Sequence, residues 1–107
     1  MRPLTNAKEE FLQKVKSIDN VRCARIVYEP DLDKEVVAIL KEEFTSEEAT
    51  EFLNTLDLEY DNGYGIQQLF GVIWMKDGSW YERGEYDGAE WWQHKVCPDI
   101  PADCLAD

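Results

Sequence analysis

The sequence predicts a single α+β domain, over residues 1–107, in which an antiparallel sheet of four or five strands carries two helices on one face. The length of 107 residues suits one domain. Two segments have apolar residues at helical spacing, and at least four others have the alternation or β-branched composition of strands. Their order, helix, strand, strand, helix, strand, strand, favours an antiparallel sheet with its helices on one side.

Both predicted helices begin at candidate capping sequences. In the first, over residues 6–18, Asn6 and Glu9 have the capping-box spacing, and apolar residues recur every three or four positions. In the second, Thr45 precedes Glu48 by three residues, and acidic residues in the first turn suit the positive end of the helix dipole. One face of this second helix is formed by Ala49, Phe52, Leu53 and Leu56.

The predicted strands form two hairpins. Residues 21–28 and 36–40 flank turn-forming residues, and residues 66–75 and 80–86 flank a tight turn at Asp77-Gly78. A third short strand or an ordered loop is expected over residues 89–95. Prolines at 98 and 101 exclude regular helix from the tail, which we expect to be irregular from about residue 97.

The charge balance excludes some partners. The chain has 23 acidic and 11 basic residues, a net charge of -12, which repels phosphate backbones and anionic membranes. No apolar run approaches the roughly 20 residues that cross a bilayer, and the first residues lack the apolar segment of a signal peptide. We therefore expect a cytoplasmic protein that binds neither nucleic acid directly nor a membrane.

The cysteines indicate free thiols. Cys23, Cys97 and Cys104 form an odd set without a C-x-x-C pair, although a bridge between Cys97 and Cys104 is an alternative. Zinc would require His94 and all three cysteines to converge, without the paired spacing of zinc motifs. Residues 57–63 match a calcium loop only in part. We predict neither a metal nor a cofactor.

Negative charge is concentrated in the segment 29–61, which holds twelve acidic and two basic residues. A solvated surface that keeps a small domain soluble would explain it. A sharper interpretation is that the carboxylates stand in for nucleic-acid phosphates and occupy a basic groove of another protein. The candidate residues of this acidic face are Glu42, Glu43, Glu47, Glu48, Glu51, Asp57, Glu59 and Asp61.

Aromatic residues and all six glycines are concentrated in residues 62–92. Core packing and turns account for many of them. Eight large rings exceed what two strands bury on one side, however, and clustered exposed rings indicate a contact surface. The candidate residues of this aromatic face are Trp80, Tyr81, Arg83, Trp91 and Trp92.

Evidence for catalysis is slight. The sequence has no serine-nucleophile motif and no phosphate-binding loop, and it has one histidine. Glu82 and Glu85 have the chemistry for acid and base work, but carboxylates are abundant here and solvation explains them. We predict that the protein is not an enzyme.

The second half of the chain resembles uncharacterised small proteins of tailed bacteriophages. The similarity lies in Asn62-Gly63-Tyr64-Gly65, Leu69-Phe70-Gly71-Val72-Ile73-Trp74, Asp77-Gly78-Ser79-Trp80, Arg83-Gly84-Glu85-Tyr86-Asp87-Gly88 and Glu90-Trp91-Trp92, then Cys97-Pro98 and Ile100-Pro101. It carries no activity or residue roles. The resemblance implies a phage or mobile-element origin and work inside an infected cell.

Two hypotheses follow. The first is a non-enzymatic protein that binds and inhibits a host protein with a basic surface, as a nucleic-acid mimic of the anti-restriction or anti-CRISPR type. The second is a protein-interaction or small-ligand module that uses the aromatic face without mimicry.

Overall fold

A computed structural model describes residues 4–31, 33–63 and 65–104. The helices are α1 (Ala7–Val15) and α2 (Ser46–Thr55), with short 3-10 helices at Ile18–Asn20 and Ala102–Cys104. The strands are β1 (Thr5–Asn6), β2 (Val21–Asp31), β3 (Lys34–Leu40), β4 (Glu59–Tyr60), β5 (Leu69–Met75), β6 (Trp80–Tyr86) and β7 (Ala89–Lys95).

The predicted α+β fold is confirmed. Strands β2, β3, β5, β6 and β7 form a five-stranded antiparallel sheet in the order β3-β2-β5-β6-β7, and β1 pairs with β4 in a separate two-stranded ladder. The segment 89–95 is a full strand, paired with β6 along its length. The small β1–β4 ladder was not predicted, because two-residue strands have no alternation to detect.

The helices begin where the capping sequences predict. The Asn6 side chain accepts a hydrogen bond from the backbone N–H of Glu9, and Thr45 and Glu48 form a reciprocal capping box. The first helix is shorter than the predicted 6–18. It ends because Lys16 adopts a φ of 72°, after which Ser17 caps the 3-10 helix at Ile18–Asn20.

Both helices cover the same face of the sheet. Phe11 of α1 and Phe52 of α2 meet edge to face, with ring centroids 5.3 Å apart. Beneath them lie buried sheet residues, including Ile26, Leu40 and Ile73. Burial of these side chains on one side of the sheet supplies the main favourable term for the fold.

Gly71 in β5 allows the centre of the sheet to close. Its φ is 140°, and a Cβ atom there would lie 2.2 Å from the carbonyl oxygen of Arg25 on the neighbouring strand. No side chain fits that space, so the close approach of β2 and β5 requires glycine.

Candidate interaction surfaces

The pairing of β6 with β7 divides the predicted aromatic face between the two sides of the sheet. Arg83 lies opposite Trp92, and Gly84 lies opposite Trp91. Tyr81, Arg83 and Trp92 therefore face the helices, since alternate strand residues point to opposite sides. Trp80 and Trp91 lie on the other side. The five residues do not form one surface.

On the helix-covered side, Arg83 is the centre of a buried ionic cluster that also contains Glu10, Tyr60 and Glu90. The side chains of Arg83 and Glu90 are 2% and 0% exposed. The Arg83 Nη2 lies 2.8 Å from the Glu90 Oε1, and its Nη1 lies 3.3 Å from the Glu10 Oε1. Arg83 is thus held between two carboxylates from α1 and β7.

Both carboxylate oxygens of Glu90 accept further hydrogen bonds. The backbone N–H groups of Gln68 and Leu69 donate to its two carboxylate oxygens at 2.8 and 3.1 Å. Arg83 Nε donates to Glu90 as well, at 3.0 Å. The buried carboxylate is tolerated because both of its oxygens accept hydrogen bonds.

Two aromatic rings enclose the same guanidinium. It lies 4.9 Å from the centre of the Trp92 ring and 5.5 Å from that of Tyr60. The Tyr60 hydroxyl contacts both the Glu10 carboxylate and Arg83. Burial, with the hydrogen bond to Glu10, raises the pKa of Tyr60 far above its usual value, so the phenol stays protonated and donates to Glu10.

The cluster is a structural element of the interior. It joins α1, β4, β6 and β7, and Tyr60, Arg83 and Glu90 are too deeply buried to meet a substrate. The Nε1 of Trp92 is buried without a hydrogen-bond acceptor among the described residues. Acid and base groups are present here, but they bind one another.

The opposite side of the sheet, the open face, carries neither α1 nor α2. Pairing arranges its side chains in three rows across the sheet. In the first row Val37, Val27 and Phe70 are paired, and the Gly84–Trp91 pair lies on the same face two residues beyond Glu82 and Gln93; the second row is Ile39, Arg25, Val72, Glu82 and Gln93; the third is Cys23, Trp74, Trp80 and Lys95.

Large apolar side chains of the open face are exposed. Ile39, Trp74, Trp91 and Phe70 are 55%, 43%, 39% and 37% exposed, respectively. The indole of Trp91 lies over Gly84, where a Cβ atom would approach it to 2.7 Å. An exposed apolar surface that spans several strands marks an interaction site more often than isolated exposed residues do.

Two charged residues of the second row differ in their contacts. Glu82 accepts hydrogen bonds from Trp80 Nε1 at 2.8 Å and lies 3.1 Å from Lys95 Nζ. Those two contacts, that of Trp80 first, lower the pKa of Glu82. Arg25 is exposed and has neither an ion-pair nor a hydrogen-bond partner for its side chain among the described residues.

Half of the predicted acidic face has partners within the chain. Glu48 belongs to the capping box of α2, and Glu42 lies 3.1 Å from Arg22. Asp57 accepts a hydrogen bond from Asn6 at 2.9 Å, and Asp61 accepts one from the backbone of Gly63 at 2.9 Å. Local structure explains these four carboxylates at least in part.

The other half consists of carboxylates without a cation. Glu43, Glu47, Glu51 and Glu59 are exposed, and no lysine or arginine of the described residues lies within ion-pair distance of them. Glu47 and Glu51 are four residues apart on α2, a spacing at which like charges repel.

Two surface grooves connect acidic side chains with the open face. One, of about 260 Å³, is lined by Glu48 and Glu51 of α2 together with Val37 and Ile39 of β3. The other, of about 490 Å³, is lined by acidic residues and by Phe70 at the end of β5. The acidic residues of that second groove are Glu29, Asp31 and Asp61. Carboxylates therefore border the open face on two sides.

The histidine and the three cysteines, which were considered as metal ligands, do not form a common site among the described residues. The His94 ring packs against Tyr81 with centroids 4.7 Å apart, and all three cysteines are free. Within residues 4–31, 33–63 and 65–104, no three His, Cys, Asp or Glu side chains are placed to hold a metal. Neither α1 nor α2, nor any other helix of these residues, is long and apolar enough to cross a bilayer.

Sequence reasoning missed Phe70, Trp74, Ile39 and Arg25 as surface candidates. The signal was present in the run Val36-Val37-Ala38-Ile39-Leu40, which is apolar at successive positions and so predicts apolar side chains on both faces of its strand. Compared with protein-family models, curated proteins and solved structures, the chain has no match in any of the three.

Proposed function

We propose that the protein is a non-enzymatic inhibitor that binds a basic surface of a host protein through the carboxylates of segment 29–61, in place of nucleic acid. The observation that carries the proposal is the set of exposed carboxylates without a cation, Glu43, Glu47, Glu51 and Glu59. A partner with clustered lysines or arginines would neutralise them. Complementary potentials of this kind raise association rates and select partners.

The uneven charge distribution supports binding through segment 29–61 rather than through the open face. The three rows of the open face contain two bases and one acid, Arg25, Lys95 and Glu82. The segment 29–61, by contrast, has twelve acids and two bases. Negative charge is therefore concentrated in segment 29–61, and the electrostatic attraction of a basic partner is strongest there.

The resemblance of the second half of the chain to small phage proteins supports a partner inside an infected cell. Proteins with basic nucleic-acid grooves, such as those of restriction and CRISPR systems, have the complementary surface. Mimicry of the anti-restriction or anti-CRISPR type is the form of inhibition that we propose. Cytoplasmic location follows from the same proposal.

The test compares two variants that lose the same charge from different places. Neutralising three unpaired residues, Glu43→Gln, Glu47→Gln and Glu51→Gln, leaves the capping box intact. The matched control neutralises Glu9, Asp99 and Asp103, all of them exposed and outside segment 29–61. Each protein is used to capture partners from a lysate of the natural host, at low and high salt, with mass spectrometry and competition by duplex DNA.

The wild type and the control should capture a nucleic-acid-binding protein that duplex DNA displaces and that high salt releases. The triple variant should bind that protein at least tenfold more weakly, a change of about 1.4 kcal/mol. Equal capture by both variants, or a partner that resists salt and DNA, would contradict the mimicry. The carboxylates would then serve solubility.

A further inference from the structure

We infer that the open face is a homodimer interface, in which two copies pack their sheets face to face about a two-fold axis parallel to β5. Arg25 of each copy then faces Glu82 of the other. The inference is independent of the proposed function, because it uses a different surface of the molecule. It rests on the apolar content, the size and the charge arrangement of the open face.

The apolar content and the size meet the requirements of a dimer. Phe70 and Trp74, both exposed, lie on the central strand β5, with Trp80 and Trp91 on the neighbouring strands β6 and β7. Five strands at ~4.8 Å spacing and three rows of side chains cover roughly 500 Å² per copy. Two copies would bury about 1,000 Å² or more, the lower limit for a specific interface.

The charges of the second row determine how two copies can face each other. Arg25 of β2 and Glu82 of β6 both pair with Val72 of β5, so they lie on opposite sides of it. A two-fold axis along β5 exchanges these two sides and places each Arg25 against the partner's Glu82. An axis across the strands would instead place arginine on arginine and glutamate on glutamate, which is repulsive.

An unpaired arginine also limits what else could cover this face. A purely apolar partner would bury Arg25 without a counter-ion, which costs several kcal/mol. A second copy supplies Glu82, whose carboxylate oxygens retain acceptor capacity beside Trp80 and Lys95 because each oxygen accepts two hydrogen bonds. The open face thus complements itself.

Association through the open face leaves Glu43, Glu47 and Glu59 outside the rows that meet, whereas Glu51 lies at the border of those rows, in the groove that it shares with Val37 and Ile39. Each chain carries a charge of -12, so two copies repel one another in most orientations. The rows of the open face are not acidic overall, so the repulsion is weakest there. The resulting dimer would present two acidic segments.

The test is sedimentation velocity of the full chain from about 1 μM to about 1 mM, the range of typical weak-to-moderate dissociation constants. The wild type should dimerise as concentration rises. Arg25→Glu and Glu82→Arg should each weaken dimerisation at least tenfold, because each places like charges opposite one another. An equimolar mixture of the R25E and E82R variants should regain dimers, since the opposed pairs are again complementary.

Circular dichroism of each single variant checks that the monomer is folded, and the mixture keeps the test decisive even if Glu82→Arg disturbs Trp80 or Lys95. A wild type that remains monomeric throughout would overturn the inference. Dimers unaffected by either substitution would show that another surface associates. Monomers in both single variants and in their mixture would overturn the arrangement about β5.

Discussion

The two faces of the sheet each carry an arginine, and the two arginines differ in burial and in contacts. On the helix-covered side, Arg83 is buried and contacts Glu10, Glu90, Tyr60 and the Trp92 ring. On the open face, Arg25 is exposed among apolar neighbours and has no such partner among the described residues. The difference shows that a cation is buried where the chain supplies its counter-ions, whereas an exposed cation is solvated by water and remains available to another molecule.

The largest effect should follow from breaking the buried ionic cluster. Glu90→Ala would leave Arg83 unpaired and remove the acceptor of two backbone N–H groups, so we expect a loss of about 3–5 kcal/mol in the free energy of unfolding. Urea unfolding followed by tryptophan fluorescence measures it. Glu85→Gln, an exposed position opposite Glu90 on β6, is the control and should change the value by less than about 0.5 kcal/mol. Equal effects at the two sites would mean that the cluster is not a main source of stability.

A second comparison uses consecutive residues of β7. Trp92→Ala should cost about 3–5 kcal/mol because the ring is almost fully buried, towards the lower end because its Nε1 has no acceptor. Trp91→Ala should cost about 1 kcal/mol or less, since its ring is partly exposed over Gly84. Thermal unfolding at low protein concentration separates the two. The assignment of faces would be wrong if Trp91 proved the costlier loss.

The smallest effect concerns the start of α2, one of the helices that cover the buried side. Thr45→Ala removes one half of the capping box and should cost about 1 kcal/mol at neutral pH. Denaturant unfolding measures this loss. Thr45→Ser, which keeps the hydroxyl acceptor, is the control and should cost clearly less.

The same capping box makes a pH-dependent contribution. Hydrogen bonds from Thr45, the backbone one first, lower the pKa of Glu48. Because the folded-state pKa lies below the unfolded value, this stabilisation is complete above the unfolded pKa and is lost as pH falls through the folded one. The stability difference between wild type and Glu48→Gln should therefore shrink on acidification. A difference that is constant with pH would exclude this contribution.

Local signals predicted most of the fold. Caps at Asn6 and Thr45 located both helices, and the turn residues Asp77-Gly78 located the hairpin of β5 and β6. Grouping Trp91 with Trp92 on one aromatic face did not match the structure, because consecutive strand residues point in opposite directions.

The sequence did not predict which charged and polar residues from distant segments contact one another. Glu10, Tyr60, Arg83 and Glu90 come from four distant segments, and their abundance as residue types gives no sign of which carboxylate meets which cation. The charge clustering of segment 29–61 was readable, but its division into paired and unpaired carboxylates depends on neighbours such as Arg22 and Lys8.

The buried ionic cluster has a consequence for how the chain is made. Its hydrogen bond from Arg83 to Glu10 joins residues 73 positions apart, and Glu90 belongs to the last strand of the sheet. Residue 90 must therefore leave the ribosome before all the contacts of Arg83 can form, although Phe11 of α1 can already pack against Phe52 of α2. Folding of this domain is expected to be late and cooperative, with a nascent chain that a ribosome-bound chaperone or protease would meet unfolded.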